Sequence, residues 1–223
     1  IAKDIAGNEG KKTSDYFSVT DNTSPTVLVD TPESGFIGDI ITLTWSSEDN
    51  TELLKHYLYY SFGESTVYTL IDSVDANVFG YNWVAPNIVT DSARIMVQSY
   101  DVFGLYSSDT SDLFSIADDI LPQITILEPS SGFSISEYND ITIRWQATDN
   151  IGMDSVRIYY SGDLQDPFAF ISSVSSEIDN FTFSIPSGVT ESAQIKLDAV
   201  DVYGNEGTSV SDYFSVTDNT PPS

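Results

Sequence analysis

Apolar and polar residues alternate with a period of two along several short stretches of the chain, which is the pattern of β-strands that bury one face. Ile41, Leu43 and Trp45 alternate with threonines. In the stretch 195–199, apolar residues alternate with a lysine and Asp198, and we expect these two polar side chains to face outward. No comparable stretch has the period of an α-helix. Roughly seven such strands per hundred residues, separated by Gly, Pro, Asn and Asp, predict an all-β fold of antiparallel two-sheet sandwiches.

One acidic segment occurs three times along the chain. SDYFSVTDNTSP at 14–25 returns as SDLFSIADDILP at 111–122 and as SDYFSVTDNTPP at 211–222. The segment between the first two copies aligns with the segment between the last two, and in this alignment Trp45 is equivalent to Trp145. Such a long repeat indicates tandem domains. In each copy the first half predicts the last strand of one module, and the second half predicts an acidic joint that leads into the next.

The repeat divides the chain into four parts. Residues 1–22 match 198–219 and predict the C-terminal strands of a preceding repeat. Residues 23–119 and 120–219 predict two complete repeats, and 220–223 predict the start of the next joint. The first part lacks the strands that would complete a sandwich, so we expect a neighbouring domain to cover its apolar side. We therefore interpret the sequence as a segment of a longer secreted protein.

The composition narrows the range of partners. Asp and Glu number 34 against 8 Lys and Arg, a net charge of −26, which argues against nucleic acid or anionic lipid as a partner. The sequence contains no run of eighteen apolar residues, so it does not predict a segment that inserts into a membrane. Cysteine is absent, which excludes disulfides and thiol chemistry. A soluble surface, adaptation to salt, or binding of divalent cations would each explain the charge, and the placement of the acids decides among them.

Acidic and amide residues concentrate in three loops of each repeat: the joint, the loop after the tryptophan strand, and the turn between the last two strands. The candidate ligands are Asp21, Asn22, Asp49, Asn50 and Asp101 in the first repeat, and Asp118, Asp119, Asp149, Asn150, Asp201 and Asn205 in the second. In an antiparallel two-sheet sandwich with this order of strands, these three loops are expected at one end. We therefore expect their side chains to converge.

Clustered carboxylate and amide oxygens suit Ca²⁺, which takes six to eight oxygen ligands in flexible geometry. The softer ligands that zinc prefers are missing from these loops. We predict calcium at each joint, with one ligand fewer in the first repeat, where Leu105 replaces the asparagine of positions 8 and 205. The alternative, which the sequence leaves open, is that Asp and Asn are ordinary turn residues that hydrogen-bond to their own backbone.

The order of motifs, from ATDN-x-G through IYYS and A-x-IK-x-x-A-x-D-x-x-GN to SD-x-F-x-V, resembles tandem immunoglobulin-like or fibronectin type III-like repeats. Such repeats occur in large bacterial surface proteins and adhesins. The resemblance covers both full repeats and implies immunoglobulin-like sandwiches with adjacent repeats as partners. The joint VTDNTSP is similar to the calcium-binding linker of cadherins, in which an Asp-Asn pair precedes a proline between successive domains.

These observations predict a structural extracellular segment at the cell surface: a calcium-stiffened stalk, a spacer, or a filament in which other copies are partners. The alternative is a glycan- or protein-binding module of a secreted multidomain protein, which requires exposed aromatic residues in one contiguous patch. Trp45 and Trp145 are in phase with core positions, so we expect both to be buried. Tyr59 and Tyr159 are out of phase and are expected to be accessible.

Catalysis is not expected from this sequence. His56 is the only histidine, and its equivalent in the second repeat is Val156. Without a cysteine or a second histidine, the usual pairs of nucleophile and base cannot be assembled. The acids recur in equivalent loops instead of lining one unique cleft. We therefore predict that the segment is not an enzyme.

Overall fold

A computed structural model describes residues 1–63 and 65–218. The predicted start of the next joint, at 220–223, lies outside the described residues. All regular elements of the described residues are β-strands. Over the same residues, no helix is long and apolar enough to cross a membrane.

The strands follow the repeats of the sequence. The N-terminal fragment contains β1 (Ala2–Lys3) and β2 (Glu9–Gly10). The first repeat contains β3 (Thr26–Val29), β4 (Gly35–Phe36), β5 (Ile40–Glu48), β6 (Leu53–Phe62), β7 (Thr69–Asp75), β8 (Gly80–Val84), β9 (Thr90–Asp101), β10 (Tyr106–Thr110) and β11 (Phe114–Ala117). The second contains β12 (Gln123–Glu128), β13 (Ser134–Ser136), β14 (Asp140–Thr148), β15 (Met153–Ser161), β16 (Ala169–Ser175), β17 (Asn180–Ser184), β18 (Thr190–Asp201), β19 (Glu206–Val210) and β20 (Phe214–Thr217).

Each repeat folds into two sheets. The first repeat has the orders β3-β5-β8 and β4-β11-β9-β6-β7, with β10 also paired to β9. The second has β12-β14-β17 and β13-β20-β18-β15-β16, with β19 paired to β18. The β11–β4 and β20–β13 pairs are parallel, and the long central strands pair antiparallel. This arrangement is the immunoglobulin-like sandwich, so the predicted fold class is confirmed.

The alternating pattern accounts for the cores. Strand β5 buries every second residue, and Trp45 and Trp145 are 4% and 3% exposed, as predicted. In the second repeat, Ile143 from one sheet and Ile158 and Leu197 from the other belong to one apolar cluster and are fully buried. The residues between them face away from the core, so the period of two specifies which face of each sheet is covered.

Asp198 is an exception to the predicted pattern. It was expected to face solvent, and it is only 6% exposed. Lys196 Nζ lies 2.7 Å from its Oδ2, and Thr208 Oγ1 donates to its Oδ1 at 2.8 Å, so neighbours on the same face cover it. Burial works to raise the pKa of Asp198, but the hydrogen bonds from Lys196 and Thr208 hold the pKa below its ordinary value.

The closing strand predicted at 14–19 does not form in the N-terminal fragment. The same six residues recur at 211–216, where Phe214 begins β20 and is buried, whereas Phe17 is exposed and in no strand. β20 lies between β13 and β18. The fragment has only the two-residue strand β1 in place of β18 and nothing in place of β13. This strand therefore depends on its neighbours and not on its own sequence.

The chain divides into two compact units. One comprises Ile1–Glu33, Thr42–Trp83 and Ser92–Phe114, and the other comprises Ser34–Ile41, Val84–Asp91 and Ser115–Ser223. The division cuts through strands of the first repeat, whereas all strands of the second repeat belong to the second unit. The repeat boundaries at 119 and 120 stay a prediction from the sequence.

A buried polar pair distinguishes the first core from the second. His56 is fully buried, with its Nδ1 2.9 Å from Ser99 Oγ and its Nε2 3.1 Å from the carbonyl oxygen of Ala76. Strands β6 and β9 pair His56 with Ser99, and strands β15 and β18 pair Val156 with Ala199. The same pair of core positions is thus occupied by a hydrogen-bonded polar pair in the first repeat and by an apolar pair in the second.

We expect His56→Val and Ser99→Ala to be strongly coupled. Each single variant leaves a buried polar group without its partner and should lower the free energy of unfolding by about 1–3 kcal/mol. The double variant reproduces the apolar pair of the second repeat, so its loss should be smaller than the sum of the two. Denaturation followed by tryptophan fluorescence measures all three variants. Strictly additive losses would contradict the pairing.

Acid should destabilise the first repeat through the same histidine. Burial lowers the pKa of His56 below its ordinary value, partly offset by the bond to Ala76. The unfolded chain therefore binds the proton first as the pH falls. The contribution of neutral His56 is present above about pH 6.5 and is lost below it. We expect the unfolding midpoint to decrease between about pH 7 and 5 in the wild type and less in the double variant. If the unfolding midpoint decreases equally with falling pH in the wild type and in the double variant, His56 is not the cause of the acid destabilisation.

Candidate metal centres

Two groups of three aspartates converge, one group in each repeat. In each group, one carboxylate oxygen per residue lies within 4.8 Å of the others. The first cluster consists of Asp21, Asp49 and Asp101, and the second consists of Asp118, Asp149 and Asp201. All six belong to the ligand set predicted from the sequence. The structure thus brings together one residue from each of the three predicted loops, and metal binding itself stays a prediction.

Equivalent elements position the members of both clusters. Asp21 and Asp118 lie in the joints that precede β3 and β12. Asp49 follows the last residue of β5, and Asp149 follows that of β14. Asp101 and Asp201 are the final residues of β9 and β18. Because β5 and β9 belong to facing sheets, the ends of these strands bring their acids to one end of the sandwich.

In the loop after β5, a tight turn fixes one oxygen of Asp49. Its Oδ2 accepts hydrogen bonds from the backbone N–H of Thr51 at 2.7 Å and from the Thr51 hydroxyl at 2.5 Å. The same hydroxyl reaches Asp21 Oδ2 at 3.0 Å. Sequence reasoning did not find Thr51, because the equivalent residue in the second repeat is Ile151 and the repeat comparison gave no signal.

In the turn after β9, backbone amides hold Asp101. Its Oδ1 accepts from the N–H groups of Phe103 at 2.8 Å and Leu105 at 2.9 Å. Gly104 has a φ of 88°, a left-handed conformation that a residue with a Cβ rarely adopts, and this conformation closes the turn. The sequence Asp-x-x-Gly therefore specifies a turn that orients the aspartate without help from other strands.

The second cluster is anchored in the same way. Asp149 Oδ2 accepts from the N–H groups of Ile151 at 2.8 Å and Gly152 at 3.1 Å. Asp118 Oδ1 accepts from the N–H of Ile120 at 3.2 Å. Each of these carboxylates thus has one oxygen bound to its own turn. One oxygen of the carboxylate accepts hydrogen bonds from its own turn, and the other oxygen could bind a metal ion. The two alternatives that the sequence left open are therefore compatible in the same side chain.

The other oxygens are buried without partners. Asp49 Oδ1, Asp101 Oδ2, Asp118 Oδ2 and Asp149 Oδ1 are inaccessible to solvent, and within residues 1–63 and 65–218 they accept no hydrogen bond. Asp101 as a whole is 0% exposed. Buried carboxylate oxygens that lack both water and a donor are costly unless a cation satisfies them. The residues present therefore fit a cation with a preference for oxygen ligands.

Asn205 makes the two clusters different. Its Nδ2 donates to Asp201 Oδ2 at 2.8 Å, and its backbone N–H donates to Asp201 Oδ1 at 2.9 Å. Burial works to raise the pKa of Asp201, but these bonds hold it below its ordinary value, so the carboxylate is ionised at neutral pH. In the first cluster Leu105 offers only its backbone, which leaves Asp101 Oδ2 without a donor.

The remaining predicted ligands lie around the clusters. Asn50 Nδ2 donates to Asp21 Oδ1 at 3.2 Å, and Asn150 Nδ2 lies 3.4 Å from Asp118 Oδ1. As placed, Asn50, Asn150 and Asn205 are donors that orient carboxylates. Asn22 and Asp119 are exposed, and Asp119 is not part of the second cluster.

Asp21 is the member of the first cluster that belongs to the joint. A backbone hydrogen bond from Thr23 lowers the pKa of Asp21, and bonds from the side chains of Asn50 and Thr51 act in the same direction. Its carboxylate therefore stays charged at neutral pH, although two other aspartates lie beside it. This charge is available to a cation.

Each joint is also fixed by its proline. In the first repeat the Ser107 hydroxyl donates to the carbonyl oxygen of Pro25 at 2.5 Å. In the second, a Cβ on Gly207 would lie 1.8 Å from the carbonyl oxygen of Pro122, so the joint passes directly over the glycine. These contacts determine where the joint meets β10 and β19, and hence where Asp21 and Asp118 lie.

The donor set of both clusters consists only of oxygen atoms. No histidine or cysteine belongs to either group within the part of the chain that the structure describes. Such a set is suited to Ca²⁺, with further ligands from water or backbone carbonyls, and it is poorly suited to zinc. If bound, the cation would supply positive charge between three carboxylates and take no part in bond chemistry.

A comparison with protein-family models agrees with the fold of the second repeat. Residues 122–197 match the family model "Bacterial Ig domain". A comparison with curated protein sequences returns no match.

Solved structures with a similar strand arrangement share little sequence with this chain. The fibronectin(III)-like modules of CbhA from Clostridium thermocellum are 14% identical, cover 86% of this chain and 95% of their own, and have a TM-score of 0.39. The FN1–FN3 domains of chicken CNTN1 are 13% identical over 87% and 68%, with a TM-score of 0.41. A tetra-tandem repeat from the extending region of a large adhesion protein is 13% identical over 87% and 49%, with a TM-score of 0.40.

At these identities and TM-scores the likeness adds nothing to what the strand order itself shows. The family match lies within the second repeat, and the first repeat has the same strand order and the same alternation. Residues 122–197 match the model of the bacterial immunoglobulin domain, and by their strand order both repeats have the immunoglobulin-like sandwich fold.

Proposed function

We propose that this chain is a calcium-stiffened spacer segment of a bacterial cell-surface protein. One observation carries the proposal: in both repeats, aspartates from the joint and from two loops converge with buried oxygens that lack a partner. A carboxylate cluster without such oxygens would be explained by turn formation alone. A cation between the aspartates satisfies these oxygens and removes the repulsion among them.

The mechanism is mechanical. Asp21 belongs to the joint, whereas Asp49 follows β5 and Asp101 ends β9 of the repeat after it. A cation shared by the three would tie the joint to the end of that sandwich. Asp118, Asp149 and Asp201 would do the same for the second repeat. Fewer orientations of the joint are then accessible, so a string of such repeats bends less and holds whatever it carries at a distance.

An extracellular location suits this chemistry. Calcium-binding extracellular modules have dissociation constants of about 10⁻⁴ to 10⁻³ M, which match weak sites that fill outside the cell. Binding also offsets part of the self-repulsion of a chain with a net charge of −26. The same repeats in series would serve as a stalk, an adhesin extension or a filament.

We propose no catalytic role. His56 lies inside the first core, where Ser99 and Ala76 occupy both of its ring nitrogens. The acids that converge are held by backbone amides at a joint. A spacer accounts for them without a substrate.

Calcium should raise the unfolding temperature and extend the chain. At a concentration one hundred times the dissociation constant, each site adds about 2.7 kcal/mol to the folded state. We expect a chelator to lower the unfolding midpoint and to shorten the maximum dimension measured by small-angle X-ray scattering. Magnesium at the same ionic strength is the control for simple screening. If melting and scattering are the same in calcium and in chelator, the proposal is wrong.

Asp101→Asn should reverse its effect on stability when calcium is added. In chelator the variant removes one of three like charges, so it should be as stable as the wild type or more stable. In calcium it should be less stable, because a ligand charge is lost.

Asp91→Asn is the matched control, since Asp91 is exposed at the opposite end of the same strand. It should leave the calcium-dependent shift unchanged. An Asp101→Asn variant that is destabilised equally in both buffers would indicate a purely structural aspartate.

A further inference from the structure

Three tyrosines form a cluster on the outer face of the larger sheet in the first repeat. The ring centroids of Tyr57 and Tyr100 are 5.5 Å apart in an edge-to-face arrangement. Those of Tyr100 and Tyr106 are 5.0 Å apart and stacked. Strands β6, β9 and β10 supply one residue each, and Tyr106 lies directly opposite Tyr100. The three rings make one contiguous aromatic surface across three strands.

The second repeat has no such surface at the equivalent positions. Arg157, Val200 and Glu206 replace the three tyrosines, and Arg157 Nη1 lies 2.7 Å from Glu206 Oε1. Beside them, Lys196 and Asp198 form a second ion pair. The charged side chains on this face of the second repeat therefore pair with one another. Both sandwiches have the same inward-facing pattern, so the fold does not require aromatic residues on the outer face.

The tyrosine face retains unused binding capacity. Tyr106 is 53% exposed, and the hydroxyls of Tyr57 and Tyr106 make no hydrogen bond within the described part of the chain. Tyr100 donates its hydroxyl to Gln98 Oε1 at 3.2 Å, which leaves the Gln98 amide nitrogen free to donate outward. The surface therefore combines ring faces and edges with hydrogen-bonding groups.

Charge limits what can bind to this face. Lys55 Nζ lies 6.0 Å from the Tyr57 ring centroid, which disfavours a cationic ligand there. The net charge of −26 disfavours polyanions and, by self-repulsion, a second copy of the chain. A neutral ligand with apolar C–H faces and many hydroxyls fits both the aromatic rings and the polar groups around them.

We propose that the Tyr57–Tyr100–Tyr106 face binds a neutral polysaccharide. Pyranose rings would lie against the aromatic surface, and their hydroxyls would bond to the phenols and to Gln98. None of the contacts of the three tyrosines involves a cluster aspartate. Tyr100 and Tyr106 flank the turn of Asp101, but backbone hydrogen bonds to Asp101 Oδ1 hold that turn without a cation. The first repeat would thus attach to a glycan, while the second serves only as a spacer.

The test exchanges the two faces. The triple variant Tyr57→Arg, Tyr100→Val and Tyr106→Glu gives the first repeat the residues of the second. Affinity electrophoresis is run in gels that contain mixed-linkage β-glucan, galactomannan or dextran, with pull-downs on cellulose and chitin. We expect at least one of these to bind the wild type, with a loss of about tenfold or more in the triple variant. Unfolding curves check that the variant is folded.

The outcomes separate the possible occupants and the two proposals. Binding should be equal in calcium and in chelator, so failure of the metal proposal would leave this result unchanged. If none of the five polysaccharides binds, or if the triple variant binds as well as the wild type, the proposal is overturned. Sedimentation velocity tests for a dimer of the wild type that the triple variant lacks, and such a dimer would assign the face to self-association instead.

A gain of binding provides the reciprocal check. Arg157→Tyr, Val200→Tyr and Glu206→Tyr would transfer the three rings to the second repeat of the triple variant. Asp198→Gln is added, because Asp198 is the equivalent of Gln98. Recovered retention on the same polysaccharide is expected, because the strand register that brings the three positions together is the same in both repeats. No recovery, with the variant folded, would show that the three rings are not sufficient and would overturn the assignment to them.

Discussion

Like charge is the constraint around which each repeat is organised at its joint. Asp118, Asp149 and Asp201 are brought within 4.8 Å of one another, and three carboxylates at that separation repel. Backbone N–H groups bind one oxygen of each and thereby prevent the side chains from turning away to solvent. The fold thus holds the repelling groups together. The proposed cation would offset this repulsion.

The turn that presents one of these acids is encoded locally. In the N-terminal fragment, Asp4 accepts from the N–H of Asn8 at 2.9 Å and from its Nδ2 at 2.8 Å, and Gly7 has a φ of 86°. This is the arrangement of Asp201 and Asn205, yet the fragment has no completed sandwich around it. The five residues of the turn form it by themselves, which is why the sequence alone indicates the turns that present Asp101 and Asp201. The closing strand at 14–19, by contrast, needs neighbours that the fragment lacks.

The difference between local turns and strands that need neighbours also explains which features the sequence predicted and which it did not. Alternation and the repeat predicted the buried faces, including Trp45 and Trp145, because they depend on which side of a strand a residue occupies. The cover over Asp198 and the role of Thr51 depend on contacts between side chains that are distant in sequence or differ between the repeats. No periodic signal marks such contacts. They follow only once the strand register is known.

The two repeats share an interior and differ on their outer faces. Leu58 and Ile158 are equally buried at equivalent positions, so a change there must preserve volume and is constrained by packing. Their sequence neighbours Tyr57 and Arg157 point the other way, where the sheet carries an aromatic cluster in the first repeat and an ion pair in the second. Because successive residues of a strand serve opposite faces, a repeat can acquire a binding surface without disturbing its core or its joint. If both proposals hold, differences at outward-facing positions alone would be sufficient to give one repeat of a spacer a ligand-binding face.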